Sequence, residues 1–190
     1  MDAPAYLRDF TVPTQEKQSR FRATVQARCR CGCMMFNISV HRQTIPLGYT
    51  QSIRDPADGQ VYVVKRGLFG KVRGRIKASD LDDRVAVRIR CRDCGAEYVA
   101  FDNYRHGYDA AAFNEADRAS ELPPDAFSAV DDSYHEVFVR TTQDMTYEEL
   151  KEDSDFPYTY DEYTNAFSFI EIFIKDKKGK NKTVFCEETA

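Results

Sequence analysis

The sequence predicts an α+β protein dominated by strands. Hairpins tied by cysteine pairs carry a long β insertion, with one or two short helices. Three observations lead there. Short runs such as Val85-Ala86-Val87-Arg88-Ile89 alternate apolar and polar side chains with the period of a strand. Clusters such as Asp55-Pro56-Ala57-Asp58-Gly59 supply the Pro and Gly that tight turns need between such runs. Five of the six cysteines fall in two short stretches, Cys29-Arg30-Cys31-Gly32-Cys33 and Cys91-Arg92-Asp93-Cys94-Gly95, which suit knuckles linking distant strands.

In chain order, residues 1–20 are polar with two prolines and read as a mobile arm or a peripheral strand. Phe21–Ala27 reads as a strand feeding the first knuckle. Met34–Val40 follows as a strand with Phe36, Ile38 and Val40 on one face. Tyr49–Ile53 and Val61–Val64 flank the Asp55–Gly59 turn as a hairpin. Gly67, Gly70 and Gly74 interrupt a basic stretch and read as a glycine-rich turn between strands. Val85–Ile89 and Glu97–Phe101 form the hairpin around the second knuckle. Asp109 caps a short helix over Ala110–Ser120, which Pro123-Pro124 must end. His135–Arg140 is a strand. Thr146-Tyr147-Glu148-Glu149 matches a capping box and opens a helix of about two turns that ends before Pro157. Phe167–Ile174 and Thr183–Cys186 make a last hairpin around Gly179, echoing the cysteine hairpin at an offset of 84 residues.

The 190 residues suit one large domain or two small ones. Apolar residues make up 42% and charged residues 31%, enough to build a core and too apolar for global disorder. The net charge of −4 is unevenly spread. Residues 1–110 hold 19 Lys and Arg against 12 Asp and Glu, whereas residues 111–190 hold 8 against 19. A soft boundary near Asp109 would therefore separate a basic, cysteine-containing region, 1–109, from an acidic α+β region, 110–190, unless both fold as one compact unit. No apolar run approaches the ~18 residues that span a bilayer. The start, Met1-Asp2-Ala3-Pro4, lacks the basic and apolar stretches of a signal peptide. A cytoplasmic protein without membrane contact is expected. Thiols stay reduced there, and closely spaced cysteines then point to a metal rather than to disulfides.

Tetrahedral zinc takes four thiolates, usually two per knuckle, and glycine often follows the second cysteine of a pair because the turn needs a positive φ. Gly32 follows Cys31 and Gly95 follows Cys94, which selects Cys29, Cys31, Cys91 and Cys94 as ligands of one structural Zn2+. Cys33 remains an alternative to Cys29. Cys31 and Cys91 are separated by 59 residues, against about 15–20 in a compact ribbon, so residues 34–90 must contain the β insertion. Four thiolates leave the metal no open position, which makes it structural. Strand-flanked cysteines also lack the strand-to-helix setting of a redox pair.

Other chemistry is thinner. The run Gly67-Leu68-Phe69-Gly70-Lys71-Val72 has Lys65 where a phosphate-binding loop needs its first Gly, and Val72 where it needs Ser or Thr. A nucleotide cofactor is therefore not expected. His106, with Asp102 and Asp109, is the one constellation suited to hydrolysis, although a hydrogen-bonded turn is the commoner use of such a segment. Lys65, Arg66, Lys71, Arg73, Arg75 and Lys77, joined by Arg88 and Arg90, form a basic series with aromatic neighbours that suits phosphate backbones.

The order Cys29-x-Cys31-Gly32, Cys91-x-x-Cys94-Gly95, the Phe101–Asp109 segment and the terminal Asn165–Ala190 stretch resembles a group of uncharacterised bacterial zinc-ribbon-like proteins. The resemblance implies a zinc-dependent fold and no particular activity. In that group the last hairpin looks like a further cysteine knuckle, whereas this chain has Lys175 and Lys178 there. The expected function is that of a small non-enzymatic, zinc-stabilised binding or regulatory protein whose partner is a protein or nucleic acid. Two alternatives are an inhibitor or immunity-type protein using the acidic, aromatic stretch Glu152–Tyr163, and a hydrolase centred on His106.

Overall fold

The computed structural model describes residues 1–14, 18–42, 49–66, 71–77, 84–107, 110, 115–152, 159–176 and 178–189. Strands dominate and helices are short, as an α+β protein requires. The chain divides into two compact units, Met1–His41 with Val85–Ala190, and Arg42–Arg84. The second unit is thus an insertion into the first, and the change of charge near Asp109 falls inside the first unit.

The larger unit is a sheet of nine strands among the described residues. Its main path runs β1 (Thr11–Pro13), β2 (Arg22–Ala27), β10 (His135–Thr142), β3 (Met35–Arg42), β7 (Val85–Cys91) and β8 (Glu97–Asp102). β11 (Phe169–Lys175) pairs with β10 and with β12 (Asn181–Glu188), and β9 (Ser128–Ala129) pairs with β3. β10 is the hub. Phe138–Thr142 pair with β2, Val137–Thr142 with β11, and His135 and Glu136 with Phe36 and Met35 of β3. Strands from the acidic half are therefore hydrogen-bonded to strands from the basic half, which is why charge does not divide this unit. Arg140 and Glu171 face each other across β10 and β11 with 2.7 Å between Nη1 and the carboxylate, one such cross-strand neutralisation.

Phe36, Phe101 and Phe167 are fully buried, and with Ile38, Ile89, Ile170 and Ile172 they fill the interior, whereas the equally buried Phe173 stacks on Phe138 outside that cluster. Each such side chain contributes about 2–3 kcal/mol of burial. The N-terminal segment belongs to this core. Ala5–Phe10 forms a 3-10 turn that buries Leu7 and Phe10, and β1 pairs with β2. The peripheral-strand reading of residues 1–20 thus fits residues 11–13. The mobile-arm reading does not fit residues 5–10, because two apolar side chains in a polar segment were enough to anchor it.

Helices exceed the one or two expected. α1 is Glu115–Ala119, and α2 is Tyr147–Glu152, opened by the expected capping box between Thr146 and Glu149. α3, Tyr160–Asn165, was not anticipated. Thr159 caps it, with Glu162 closing a second capping box. The acidic, aromatic composition of Glu152–Tyr163 hid that signal, and residues 153–158 lie outside the described ones. So do Asp109 and most of the early part of the helix expected over Ala110–Ser120.

The insertion is a three-stranded antiparallel sheet, β4 (Tyr49–Arg54), β5 (Val61–Arg66) and β6 (Val72–Lys77). Asp55–Gly59 makes the first turn, with Gly59 at φ 71°. Of the expected glycine-rich turn, Gly67 and Gly70 lie outside the described residues, whereas Gly74 lies within β6, paired with Lys65 of β5, and is not a turn residue.

The two hairpins 84 residues apart close their turns by related means. Gly95 and Gly179 sit at φ 72° and 73°. At the first turn, Cys91 N–H bonds to the Ala96 carbonyl, and the backbone N–H groups of Cys94 and Asp93 point at the Cys91 sulfur. At the second, Asp176 N–H bonds to the Lys180 carbonyl, and its Oδ1 accepts from the N–H groups of Lys178 and Lys180, both at 2.8 Å. The Asp176 carboxylate thus caps the second turn in the way the Cys91 sulfur caps the first. That hairpin holds its shape with no cysteine pair.

Candidate metal centre

β2 ends at Ala27 and the chain turns through Cys29–Cys33 before β3 begins. Cys29 N–H bonds to the Cys33 carbonyl and Gly32 N–H to the Cys29 carbonyl, each at 2.8 Å, with Gly32 at φ 91°. β7 ends on Cys91, and Gly95 N–H bonds back to its carbonyl at 3.0 Å. Arg92 N–H bonds to the Met35 carbonyl at 3.0 Å, which docks the second knuckle onto β3 beside the first.

These two turns bring together Cys29, Cys31, Cys91 and Cys94, whose sulfurs all lie within 4.8 Å of one another. Cys29 and Cys94 sulfurs are 3.4 Å apart, and those of Cys31 and Cys91 are 3.6 Å apart. A tetrahedron with ~2.3 Å metal–sulfur arms has edges of about 3.8 Å. The cluster is the right size for one ion, and all six cysteines are free thiols. Two ligands are buried and two exposed, so the ion would sit at the surface end of the core. Backbone N–H groups supply the second requirement. Those of Cys31, Cys33, Ala96, Asp93 and Cys94 point at cysteine sulfurs, an arrangement that favours thiolate.

The four thiols share that preference unequally. Burial works to raise Cys29, but hydrogen bonds from the Tyr98 hydroxyl, the Cys31 N–H and the neighbouring thiols outweigh it and bring it down to about 6. Cys31, Cys91 and Cys94 are held above the usual thiol range. For Cys91 the chief cause is burial; for Cys31 and Cys94 the adjoining thiols outweigh their backbone N–H bonds. The preference for thiolate is therefore strongest at Cys29.

Cys33 stands outside the cluster. It is buried, and its sulfur accepts the Met35 N–H at 3.4 Å. It also supports the Asp93 carboxylate, which lies below the usual range chiefly through Arg92 and then through Cys33. Tyr98 was overlooked in the sequence. Its hydroxyl lies 3.2 Å from the Cys29 sulfur and accepts the Arg30 N–H at 3.4 Å. Its position on the return strand, four residues after Cys94, was the available signal.

His106 is buried and stacks on Tyr6, with ring centroids 3.6 Å apart. Its Nδ1 accepts the Asp102 backbone N–H at 3.1 Å. Burial pushes its pKa down to about 4, so the ring is neutral at neutral pH and carries its proton on Nε2. The Asp102 carboxylate accepts the Tyr104 N–H at 3.2 Å and lies 3.5 Å from Arg105 Nε. Asp109 lies outside the described residues.

The basic series divides between the two units. Lys65, Arg66, Lys71, Arg73, Arg75 and Lys77 stand on or beside β5 and β6 of the insertion, whereas Arg88 and Arg90 stand on β7. Arg75 is 2.6 Å from Asp55 and lies over the Tyr62 ring, and Arg88 pairs with Glu97 at 3.3 Å and lies over Phe127. These two guanidiniums therefore hold the fold. Lys71 and Arg73 are exposed. Among the described residues no helix is long and apolar enough to cross a membrane. No protein family, no curated protein and no solved structure matches the chain.

Proposed function

We propose that the chain is a small non-enzymatic binding protein in which Cys29, Cys31, Cys91 and Cys94 hold one structural zinc ion in a ribbon-like pair of knuckles. The observation that carries this reading is the four-sulfur cluster, closed on all sides by thiols and lined by backbone N–H groups. An all-sulfur tetrahedral set suits zinc or a lone iron, and it leaves no coordination position for substrate. When bound, the ion supplies cross-linking and charge neutralisation. The residues around it do the rest, with Tyr98 steadying Cys29 and Arg92 docking the second knuckle on β3.

The environment of His106 speaks against the hydrolytic alternative, because a base needs a lone pair and the remaining ring nitrogen carries a proton. The acidic surface of the inhibitor alternative is partly used within the fold. Asp161 pairs with Arg8 at 3.0 Å and Tyr163 is buried. Exposed Lys71 and Arg73, with Lys65 and Arg66 nearby, favour a polyanionic partner, a nucleic acid.

Elemental analysis should find about one zinc per chain in the wild type and in Cys33→Ser alike. Iron, or no metal, would remove the zinc reading, and loss of metal from Cys33→Ser would put Cys33 among the ligands. Binding of a short single-stranded or duplex DNA should weaken steeply between low and physiological salt, and Lys71→Gln with Arg73→Gln should weaken it about tenfold more. Binding that ignores salt, or no binding at all, would direct the search to a protein partner.

A further inference from the structure

A cleft of about 320 Å3 lies beside the metal centre in the larger unit, and the proposed binding reading leaves it unexplained. His106 lines it. The imidazole is 9% exposed, its Nδ1 is committed to the Asp102 N–H, and among the described residues its Nε2 has no hydrogen-bond partner. A nearly buried donor is thus left at the wall of a cleft large enough for a small ligand.

The rest of the lining defines what that ligand must be. Arg105 is fixed at the wall, because its Nε donates to the Arg118 carbonyl and its Nη2 to the Ser120 carbonyl, each at 2.7 Å. Arg30 lies at the mouth, with 77% of its side chain exposed and a loose 3.9 Å pairing to Asp9. Against these two cations stand two lining carboxylates, Asp9 and Glu97. Glu97 also pairs with Arg88 at 3.3 Å, and Arg105 Nε lies 3.5 Å from Asp102, so neither Glu97 nor Arg105 is a bare charge. The formal charge of the lining is therefore zero. A polyphosphate would meet two repelling carboxylates. A monoanion whose other end donates hydrogen bonds would satisfy both kinds of wall.

We infer that the cleft binds a small carboxylate that also carries an amino or hydroxyl group, its carboxylate held by His106 Nε2–H with Arg105 and Arg30, and its donor end turned to Asp9 and Glu97. Tyr6 sets the imidazole by flat stacking and donates its own hydroxyl to the Ala100 carbonyl, so it is a positioning residue. Tyr98 lines the same cleft and touches Cys29, which places the ligand next to the metal's support without making it a metal ligand.

The test is a titration of the metal-loaded protein followed by backbone and side-chain NMR. The probes are alanine, lactate, acetate and inorganic phosphate. Alanine or lactate should give saturable shifts centred on Tyr6, Arg30, Arg105 and His106, and acetate and phosphate should bind at least tenfold more weakly. Whichever of alanine and lactate binds identifies the second group. Arg30→Gln, a change at an exposed side chain, should weaken that binding several-fold while the zinc content stays at about one per chain. Absence of saturation by alanine and lactate, phosphate binding as tight as either, or shifts scattered over surface lysines and arginines would overturn the site. The zinc and DNA measurements are separate readouts, so failure here leaves the binding-protein reading standing.

Discussion

Cys91→Ser is expected to abolish metal binding and to lower stability by about 5 kcal/mol, a fall in Tm of about 10–20 °C for a chain of this length. Cys91 is 1% exposed and ends β7, where its sulfur takes two backbone N–H bonds. Serine keeps the size of the side chain, but its hydroxyl does not ionise near neutral pH and makes a poor fourth ligand. The three remaining thiols would then be too few to retain the ion. The link between the β2–β3 and β7–β8 turns would rest on the Arg92 to Met35 hydrogen bond and the shared core. Metal analysis and chemical denaturation measure the two effects. A strong chelator should reproduce the loss in the wild type and leave Cys91→Ser unchanged. If the chelator strips the metal and the wild-type midpoint does not move, the ion is no structural element.

The sequence made this centre legible because its signal is local. Each knuckle announces itself by cysteine spacing and by the glycine that follows, and both glycines have the positive φ that reading required. Strands were legible where apolar and polar residues alternate, as at Val85–Ile89. Two kinds of feature were not. Leu7 and Phe10 join the core from a polar segment, because burial of isolated apolar residues is decided by what folds over them. The His106 environment depends on Tyr6, a hundred residues away, and no local pattern reports that stacking. The domain division was obscured for the same reason. Charge changes sign at one place in the sequence, whereas β10 gathers partners from both sides of it.

Gly107→Ala is expected to cost about 3 kcal/mol while leaving the metal in place. Gly107 has φ 86°, where an L side chain is strained by about 1–2 kcal/mol. A Cβ there would also stand 2.6 Å from both Cβ and Oγ1 of Thr189. Thr189 has little room to yield. It is fully buried, its N–H donates to the Ser168 carbonyl at 2.9 Å, and its hydroxyl donates to the Phe167 carbonyl. Gly107 N–H in turn donates to the Asn165 carbonyl at 2.9 Å, and Asn165 Oδ1 accepts the Ala5 N–H at 2.9 Å. The turn after β8, the end of α3, the C-terminal strand and the N-terminal 3-10 turn thus converge on one residue without a side chain. Gly59→Ala supplies the comparison, because that glycine has φ 71° and open space around its Cβ position. It should show the backbone strain alone, about 1 kcal/mol. Pairing Gly107→Ala with Thr189→Gly should remove the collision and recover about 1–2 kcal/mol relative to the sum of the single changes. Equal losses at Gly59 and Gly107 in chemical denaturation would show that the close approach to Thr189 does not shape the fold. A larger loss at Gly107, with the coupling to Thr189, would make this convergence a second staple, built from packing rather than from thiols.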